Sequence, residues 1–283
     1  MFMGYSPETV DFLWGIRMNN NREWFLEHKK DYVKYLYEPT KALGKELFEP
    51  FIEKNGYDKR KKEGFRMFEG FSPETVDFLW GIRMNNNREW FLEHKKDYVN
   101  YLYEPMKALG KDLFQPFLER SGSVLKVSRI YRDARMHHPV PYKESLWICI
   151  RQDVEWWAEN PCLYFEIRPE GVSYGFILWR PKPGDMEAFR RDIAARPREF
   201  LRLIQETEKA TGVPITAETY KRPKEAPTPS LAPYYAWKGG IACVVDKPVG
   251  EEMFGPELGI RAKAFIEKLI PLYEYFVKLY ARE

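Results

Sequence analysis

Residues 162–179 decide the fold and read Cys-Leu-Tyr-Phe-Glu-Ile-Arg-Pro-Glu-Gly-Val-Ser-Tyr-Gly-Phe-Ile-Leu-Trp. Two runs rich in aromatic and branched apolar residues, 162–168 and 172–179, flank the turn sequence Pro169-Glu170-Gly171. Such runs around a short turn predict a β-hairpin. Because the connection is so short, the two strands must pair in antiparallel orientation.

Further elements are predicted on both sides of this hairpin. Leu146–Ile150 and Ile241–Val245 are short apolar runs that predict buried strands. A helix is predicted from Asp185 to Thr211, where Gly212 suits the C-cap.

The remaining C-terminal segments complete the fold class. Residues 222–233 contain four prolines and predict an extended surface loop. The amphipathic pattern of residues 256–280 predicts a final helix. Grouped strands surrounded by helices predict an α+β fold, with a mostly antiparallel sheet covered by helices.

The N-terminal part of the sequence occurs twice. Residues 4–14 return almost unchanged as residues 70–80, 66 positions later, and the match continues to Gly56 and Gly122. Two near-identical copies indicate internal duplication of an N-terminal helical unit. We therefore divide the chain into an extra copy of this unit (the first repeat, residues 1–56), a charged linker (57–66) and a single α+β domain (67–283). The domain begins with the second repeat, residues 67–122.

Each repeat is predicted to contain two helices joined by a turn. In the second repeat Ser72 is a suitable N-cap, and Pro73 fits the first helical position. The run 85–87, three asparagines, predicts the turn. With Asn86 as the next N-cap, Glu89 takes the N3 position of a capping box.

The second repeat runs directly into the predicted sheet, whereas the first is followed by the charged linker. One fold offers one docking surface for such a unit. The first repeat must therefore pack elsewhere, dock on another subunit or stay undocked. An apolar face left uncovered predicts self-association through residues 1–56.

Composition limits the choice of function. The 283 residues are 44% hydrophobic with a net charge of +3 and a mean hydropathy of −0.56. This hydrophobic fraction is high enough to form a sizeable core, and it excludes a chain that is disordered throughout. No apolar run reaches the roughly 20 residues of a membrane helix, and no signal peptide is visible. We expect a cytoplasmic protein with no membrane partner, and the near-balanced charge disfavours nucleic acid.

The cysteines Cys149, Cys162 and Cys243 lie far apart in apolar or aromatic surroundings. Without a C-x-x-C pair they are predicted to be reduced core thiols. No G-x-G-x-x-G or P-loop pattern occurs, so the sequence predicts no cofactor.

The richest group of polar side chains lies between Lys126 and Lys143. Arginines recur there every three residues around an aspartate: Arg129, Arg132, Asp133 and Arg135. Guanidinium groups bind carboxylates and phosphates through two parallel hydrogen bonds. The segment therefore predicts an anion-binding site, with Tyr142 and Lys143 as further donors.

The backbone conformation decides which of these side chains meet. An extended strand over residues 128–135 would place Arg129, Tyr131, Asp133 and Arg135 on one face. The aspartate could then hold one guanidinium in place. The same pattern also fits a structural role, an ion-pair network that ties the N-terminal helices to the sheet.

Two adjacent histidines, His137 and His138, follow the arginines. Neighbouring residues of a strand point to opposite faces, so a shared metal would need a bend. No H-E-x-x-H or cysteine-rich spacing supports zinc, and we predict no metal site. Asp133 and His137 are the candidates for a catalytic base.

The polar segment resembles a family signature. Arg129, the run 132–135 (Arg-Asp-Ala-Arg) and the run 141–143 (Pro-Tyr-Lys) are similar to the pattern of domain of unknown function 2461, a mainly bacterial family. Residues 86–91, Asn-Asn-Arg-Glu-Trp-Phe, resemble its N-terminal hallmark. The resemblance covers about residues 68–280. It implies the architecture and the place of the site, and brings no reaction, substrate or cofactor.

The sequence departs from this family pattern at two places. Met136 stands where the family has phenylalanine. Residues 137–140 form a shorter spacer without the usual Asp/Asn-Lys pair.

Three functions remain compatible with these residues. The first, which we favour, is a binding or regulatory module that holds a small anion through the arginines and Lys143, with Asn86 and Arg88 approaching from the helical turn. The second is a hydrolytic or phosphoryl-handling enzyme with Asp133 or His137 as base. The third is single-stranded nucleic-acid binding by aromatic stacking, which the near-neutral charge disfavours.

Overall fold

A computed structural model describes residues 4–19, 21–43, 67–120, 122–133, 139–154 and 156–280. The chain divides into two compact units, Met1–Phe65 and Arg66–Glu283. None of the helices in the described ranges combines the length and the apolar character that crossing a membrane requires.

The described part of the first unit is helical. Its elements are α1 (Pro7–Met18), α2 (Arg22–Glu27) and α3 (Lys29–Asp31), which continues as a π-helical segment, Tyr32–Tyr37. Phe12 is buried against the rings of Trp24 and Tyr32. The Thr9 hydroxyl donates to the Tyr35 carbonyl at 2.6 Å, which fixes α1 to the π-helical segment.

The second unit begins with the same elements 66 residues later. They are α4 (Pro73–Met84), α5 (Arg88–Glu93), α6 (Lys95–Asp97) with the π-helical segment Tyr98–Tyr103, and α7 (Glu104–Phe114). Leu79 and Ile82 of α4 and Phe91 of α5 are almost completely buried. Burying one such side chain contributes about 1.5–3 kcal/mol, so the second repeat is an integral part of the domain core.

One antiparallel sheet follows the second repeat, with the strand order β1-β2-β3-β4-β6-β5. The strands are β1 (Ser123–Val127), β2 (Leu146–Gln152), β3 (Cys162–Arg168), β4 (Gly171–Leu178), β5 (Thr216–Thr219) and β6 (Trp237–Pro248). The predicted hairpin of residues 162–179 is confirmed as β3 and β4, and the α+β class is confirmed with it.

Helices cover this sheet and enclose the core. They are α8 (Pro183–Ala195), α9 (Pro197–Thr211), α10 (Ala232–Tyr235) and α11 (Glu257–Tyr280), besides 3-10 turns at Gln115–Phe117, Trp157–Glu159, Pro229–Leu231 and Glu251–Met253. Phe176 of β4 stacks on Phe276 of α11 with ring centroids 5.6 Å apart. The final helix is thus confirmed, and it packs directly on the central strands.

One helix prediction needs correction, and the predicted end of that helix is confirmed. Residues 185–211 form two helices, because the chain breaks at Arg196 and Pro197 starts a new helix. The Asp185 carboxylate accepts from the Lys182 amide at 2.9 Å within the first turn of α8. Gly212 is left-handed with φ +70°, which confirms the C-cap.

Two predictions of extended backbone also fail in part. Residues 222–233 were expected to be an extended loop, but they turn helical at Pro229 and again in α10. Within the described part of the strand expected at 128–135, residues 128–133, the chain is not a regular strand, since β1 ends at Val127 and Tyr131 forms only an isolated bridge. The Ser128 amide still donates to the Trp147 carbonyl at 2.8 Å, but the Trp147 amide donates to the Ser128 hydroxyl at 2.9 Å, so a side chain replaces the backbone carbonyl as acceptor where the ladder stops.

The cysteine prediction is wrong for two of the three residues. Cys149 of β2 and Cys162 of β3 are buried on neighbouring strands and joined as a disulfide. Cys243 is free and buried, and burial raises the pKa of its thiol. Pairing across two strands depends on the sheet register, which sequence spacing alone does not reveal.

Candidate functional site

A cleft of about 580 Å³ opens where β1 ends and β2 begins. It is lined by Arg83, Tyr131, Arg132, Asp133, Lys143, Glu144, Ser145, Glu166 and Arg168. Four of these side chains are cationic and three are acidic. The lining is therefore strongly polar with a small positive excess.

The alternation of β3 supplies one wall of the cleft. Leu163, Phe165 and Ile167 point into the core and are fully buried. Glu166 and Arg168 lie on the opposite face, because successive strand residues point to opposite sides. Two charges spaced two residues apart in an apolar strand therefore belong to one surface.

Two segments that flank the connection between β1 and β2 supply the opposite wall. The Arg132 amide donates to the Pro141 carbonyl at 2.9 Å, and the Lys143 amide donates to the Ile130 carbonyl at 2.7 Å. Tyr131 and Tyr142 form an antiparallel bridge between these bonds. The pairing carries Arg132 and Lys143 to the same end of the sheet.

Asn86 fixes this wall to the second repeat. Its side-chain amide donates to the Tyr142 carbonyl at 3.0 Å, and its carbonyl oxygen accepts from the Tyr142 amide at 3.0 Å. The N-cap of α5 is Asn87, whose Oδ1 accepts from the Trp90 amide at 2.9 Å. The prediction of Asn86 as the N-cap is therefore wrong by one residue, because the Asn86 side chain is hydrogen bonded to the backbone of Tyr142.

Arg83 joins the end of α4 to the sheet. Its Nε donates to Glu144 Oε2 at 2.7 Å, and its Nη atoms donate to the Glu170 carboxylate. The two carboxylates, Glu170 first, raise the pKa of Arg83. An ion-pair network between the N-terminal helices and the sheet thus exists, and its centre is Arg83.

The other arginines of the cleft also face carboxylates. Arg168 donates to Asp246 at 2.6 Å and lies 4.0 Å from Glu166. Arg132 lies 4.0 Å from Glu144, at the limit of an ion pair. The Ser145 hydroxyl donates to Glu166 at 2.7 Å and orients that carboxylate.

Lys143 has a different environment. Its ammonium donates to the Arg129 carbonyl at 2.8 Å and lies 5.6 Å from the centroid of the Trp147 ring. Burial, followed by the charges of Lys126, Arg132 and Arg129, lowers the pKa of Lys143. Among the described residues no carboxylate comes within 4.0 Å of this ammonium.

The structure brings together some of the residues singled out in the sequence. Arg132, Asp133 and Lys143 line the cleft. Four others do not line it, namely Arg129, Tyr142, Asn86 and Arg88. Arg135 and His137 lie outside the described residues.

Sequence reasoning missed five of the lining residues: Arg83, Glu144, Ser145, Glu166 and Arg168. The alternating charges of Glu166 and Arg168 in an otherwise apolar strand were a usable signal. Arg83 carried no comparable signal, because its partners lie 61 and 87 positions away in the sequence.

Within the described ranges, no group of three or more His, Cys, Asp or Glu side chains could hold a metal ion.

The relationship of the chain to known proteins is at the level of a family. No curated protein matches the chain. A family model described as conserved hypothetical protein matches residues 8–68 and 74–275, which is most of the sequence and includes the whole cleft. The chain therefore belongs to the DUF2461 family of conserved hypothetical proteins.

Proposed function

We propose that the cleft binds a small ligand bearing a phosphate or carboxylate group, and that the chain acts as a binding or regulatory module. The observation that carries the proposal is Lys143, a partly buried ammonium that faces cations and a carbonyl oxygen. A charge removed from water without a counter-ion is unfavourable. A bound anion would compensate it.

The three arginines that line the cleft differ in how firmly carboxylates hold them, and this difference supports the assignment. Arg83 and Arg168 already hold carboxylates, so they stiffen the walls and leave little capacity for a ligand. Arg132 is held loosely by Glu144 and can turn toward an anion near Lys143. A hydrogen bond to a charged group contributes about 1.5–3 kcal/mol, so two such donors can hold a small anion.

The acidic lining restricts the size of the ligand. Asp133, Glu144 and Glu166 share the cleft with the cations and would repel a long polyanion such as nucleic acid. The volume of about 580 Å³ lies in the usual range for small-molecule sites. A compact ligand with one anionic group fits both features.

Replacing Lys143 with methionine should abolish the specific response to anions. We expect inorganic phosphate, sulfate or succinate at about 100 times its Kd to stabilise the wild type by about 2.7 kcal/mol. Lys143→Met should lose this stabilisation, measured as a shift of the thermal midpoint at constant ionic strength. The phosphate, sulfate and succinate series separates phosphate-like from carboxylate ligands.

The matched control is Lys126→Met, which removes a neighbouring exposed charge that does not line the cleft. Sulfate and phosphate also stabilise proteins generally, by exclusion from the surface. The specific effect is therefore the difference between the variants. Equal midpoint shifts in the wild type, Lys126→Met and Lys143→Met would exclude the proposed site.

Sulfate binding should depend on pH through Lys143. Binding needs the ammonium form, so it should be complete below the lowered pKa of Lys143 and be lost as pH rises through it. This loss comes before the ordinary lysine value of about 10.4. In the absence of an anion, the stability of the fold has the opposite pH dependence. The pKa of Lys143 is lower in the folded chain than in the unfolded chain, so the unfolded chain binds the proton more tightly, and the contribution of Lys143 to stability rises with pH. Isothermal titration calorimetry should give a flat profile for Lys143→Met.

A further inference from the structure

A second cavity, of about 230 Å³, lies on the face of the sheet that points into the core. Val172 and Tyr174 of β4 line it, and they pair with Ile167 and Phe165 of β3. Residues directly opposite each other on paired strands point to the same face of a sheet. The cleft uses the charged side chains on the other face of β3, so the two sites share no lining residue.

The walls of this second cavity are apolar and held in place by the fold. Val172, Met253 and Leu258 belong to β4, to the 3-10 turn before α11 and to α11 itself, and they are at most 4% exposed. The Met253 carbonyl accepts from the Phe71 amide at 3.1 Å, which fixes the turn to the start of the second repeat. The cavity is therefore preformed, as small-molecule sites usually are.

The Tyr174 hydroxyl adds a polar group to this apolar lining. Tyr174 is 5% exposed, and its ring stacks on Phe165 and meets Phe265 edge-on, with centroids 5.9 and 5.7 Å apart. Within the part of the chain that the structure describes, the hydroxyl forms no hydrogen bond. Burial raises the pKa of Tyr174 above its ordinary value, so the hydroxyl stays protonated at neutral pH. A buried polar group without a partner is unfavourable, and a ligand oxygen would supply the partner.

The charges around this cavity favour an uncharged ligand. Glu252 and Arg261 line it and form an ion pair at 2.6 Å, so each charge compensates the other. Lys247 is exposed, and water hydrates its ammonium group. The volume lies below the roughly 300–1,000 Å³ of sites that hold drug-sized molecules. A molecule of about one ring with a single oxygen atom fits these features.

We propose that this second cavity binds a small uncharged molecule with an apolar body and one hydroxyl or carbonyl oxygen. The body contacts Val172, Met253 and Leu258. The oxygen forms a hydrogen bond with the Tyr174 hydroxyl. Protein interiors leave few voids larger than a water molecule, because the atoms that line an empty space lose their contacts, and a ligand restores them. The inference is independent of the proposed anion site, since both the residues and the ligand charge differ.

Titration of the full-length protein with phenol and with toluene, followed by NMR, tests the proposal. The two probes share one ring, and phenol carries a hydroxyl where toluene carries a methyl group. Labelling the methionine methyl groups with carbon-13 gives a local signal, because Met253 lines the cavity. We expect both probes to shift the Met253 signal in a saturable manner.

Tyr174→Phe removes the hydroxyl and keeps the ring. It should weaken phenol binding about fivefold, the effect of one ordinary hydrogen bond, and leave toluene binding unchanged. Tyr164→Phe is the matched control on the neighbouring strand, since the Tyr164 hydroxyl is bonded to Ser173 at 2.8 Å and Tyr164 does not line the cavity. This control should bind both probes like the wild type.

The thermal midpoints without probe separate a ligand contact from a structural one. Because the Tyr174 hydroxyl has no partner within the described residues, Tyr174→Phe should melt no lower than the wild type. Tyr164→Phe loses a hydrogen bond and should melt lower. A Met253 signal that neither probe moves would overturn the proposal. The same change in affinity for phenol and toluene in Tyr174→Phe, or a lowered midpoint of that variant, would overturn it as well.

Discussion

Gly175→Ala is expected to destabilise the domain by about 3–5 kcal/mol, a large part of the 5–15 kcal/mol that holds a typical domain folded. Gly175 lies within β4 with φ +153°, which side chains rarely tolerate. A Cβ atom there would lie 2.2 Å from the Cys243 carbonyl oxygen and 2.9 Å from the Val244 Cα of β6. Backbone atoms cannot rotate aside, so the central strands would have to separate.

Urea unfolding of Gly175→Ala and Gly184→Ala checks this expectation. Gly184 lies in the first turn of α8, and an added Cβ would meet no atom within 4 Å. Alanine favours a helix over glycine by up to about 1 kcal/mol, so this control should match or exceed the wild type. Equal midpoints for both variants would contradict the close approach of β4 to β6.

The parts of the fold that sequence predicted well are those set by neighbouring residues. The hairpin of β3 and β4 depends on two apolar runs and a short turn, and all three are visible in residues 162–179. The helix α11 follows from its repeating apolar positions in the same way. In both cases the period of the side chains determines the buried face.

The cleft was only partly predictable, because its geometry depends on pairings between distant residues. Arg132 and Lys143 were found from their cluster in the sequence. Their positions, however, follow from the bridge between Tyr131 and Tyr142, which replaced the predicted strand. Arg83 joins the site through Glu170, 87 positions later, and no local pattern indicates such a contact.

Asn86→Ala is expected to cost about 2–4 kcal/mol and to weaken the response to anions at the same time. The variant removes both hydrogen bonds to the backbone of Tyr142, which is 5% exposed. A buried donor or acceptor left without a partner costs about 1–3 kcal/mol. Lys143 follows Tyr142 directly, so loosening this backbone should also displace the ammonium that carries the proposed site.

The asparagine run provides its own controls, because its three members have different partners. The Asn85 side chain is exposed and donates to the Gly81 carbonyl within its own helix, so Asn85→Ala should change stability by less than about 0.5 kcal/mol. Asn87→Ala removes an N-cap and should cost about 1 kcal/mol. Urea unfolding should rank the losses 86 above 87 above 85, with the sulfate-induced midpoint shift reduced for Asn86→Ala alone. Loss of stability in Asn86→Ala with an unchanged sulfate shift would mean that the second repeat supports the fold without positioning Lys143. A reduced shift would show that the helical unit and the anion site are coupled through one side chain.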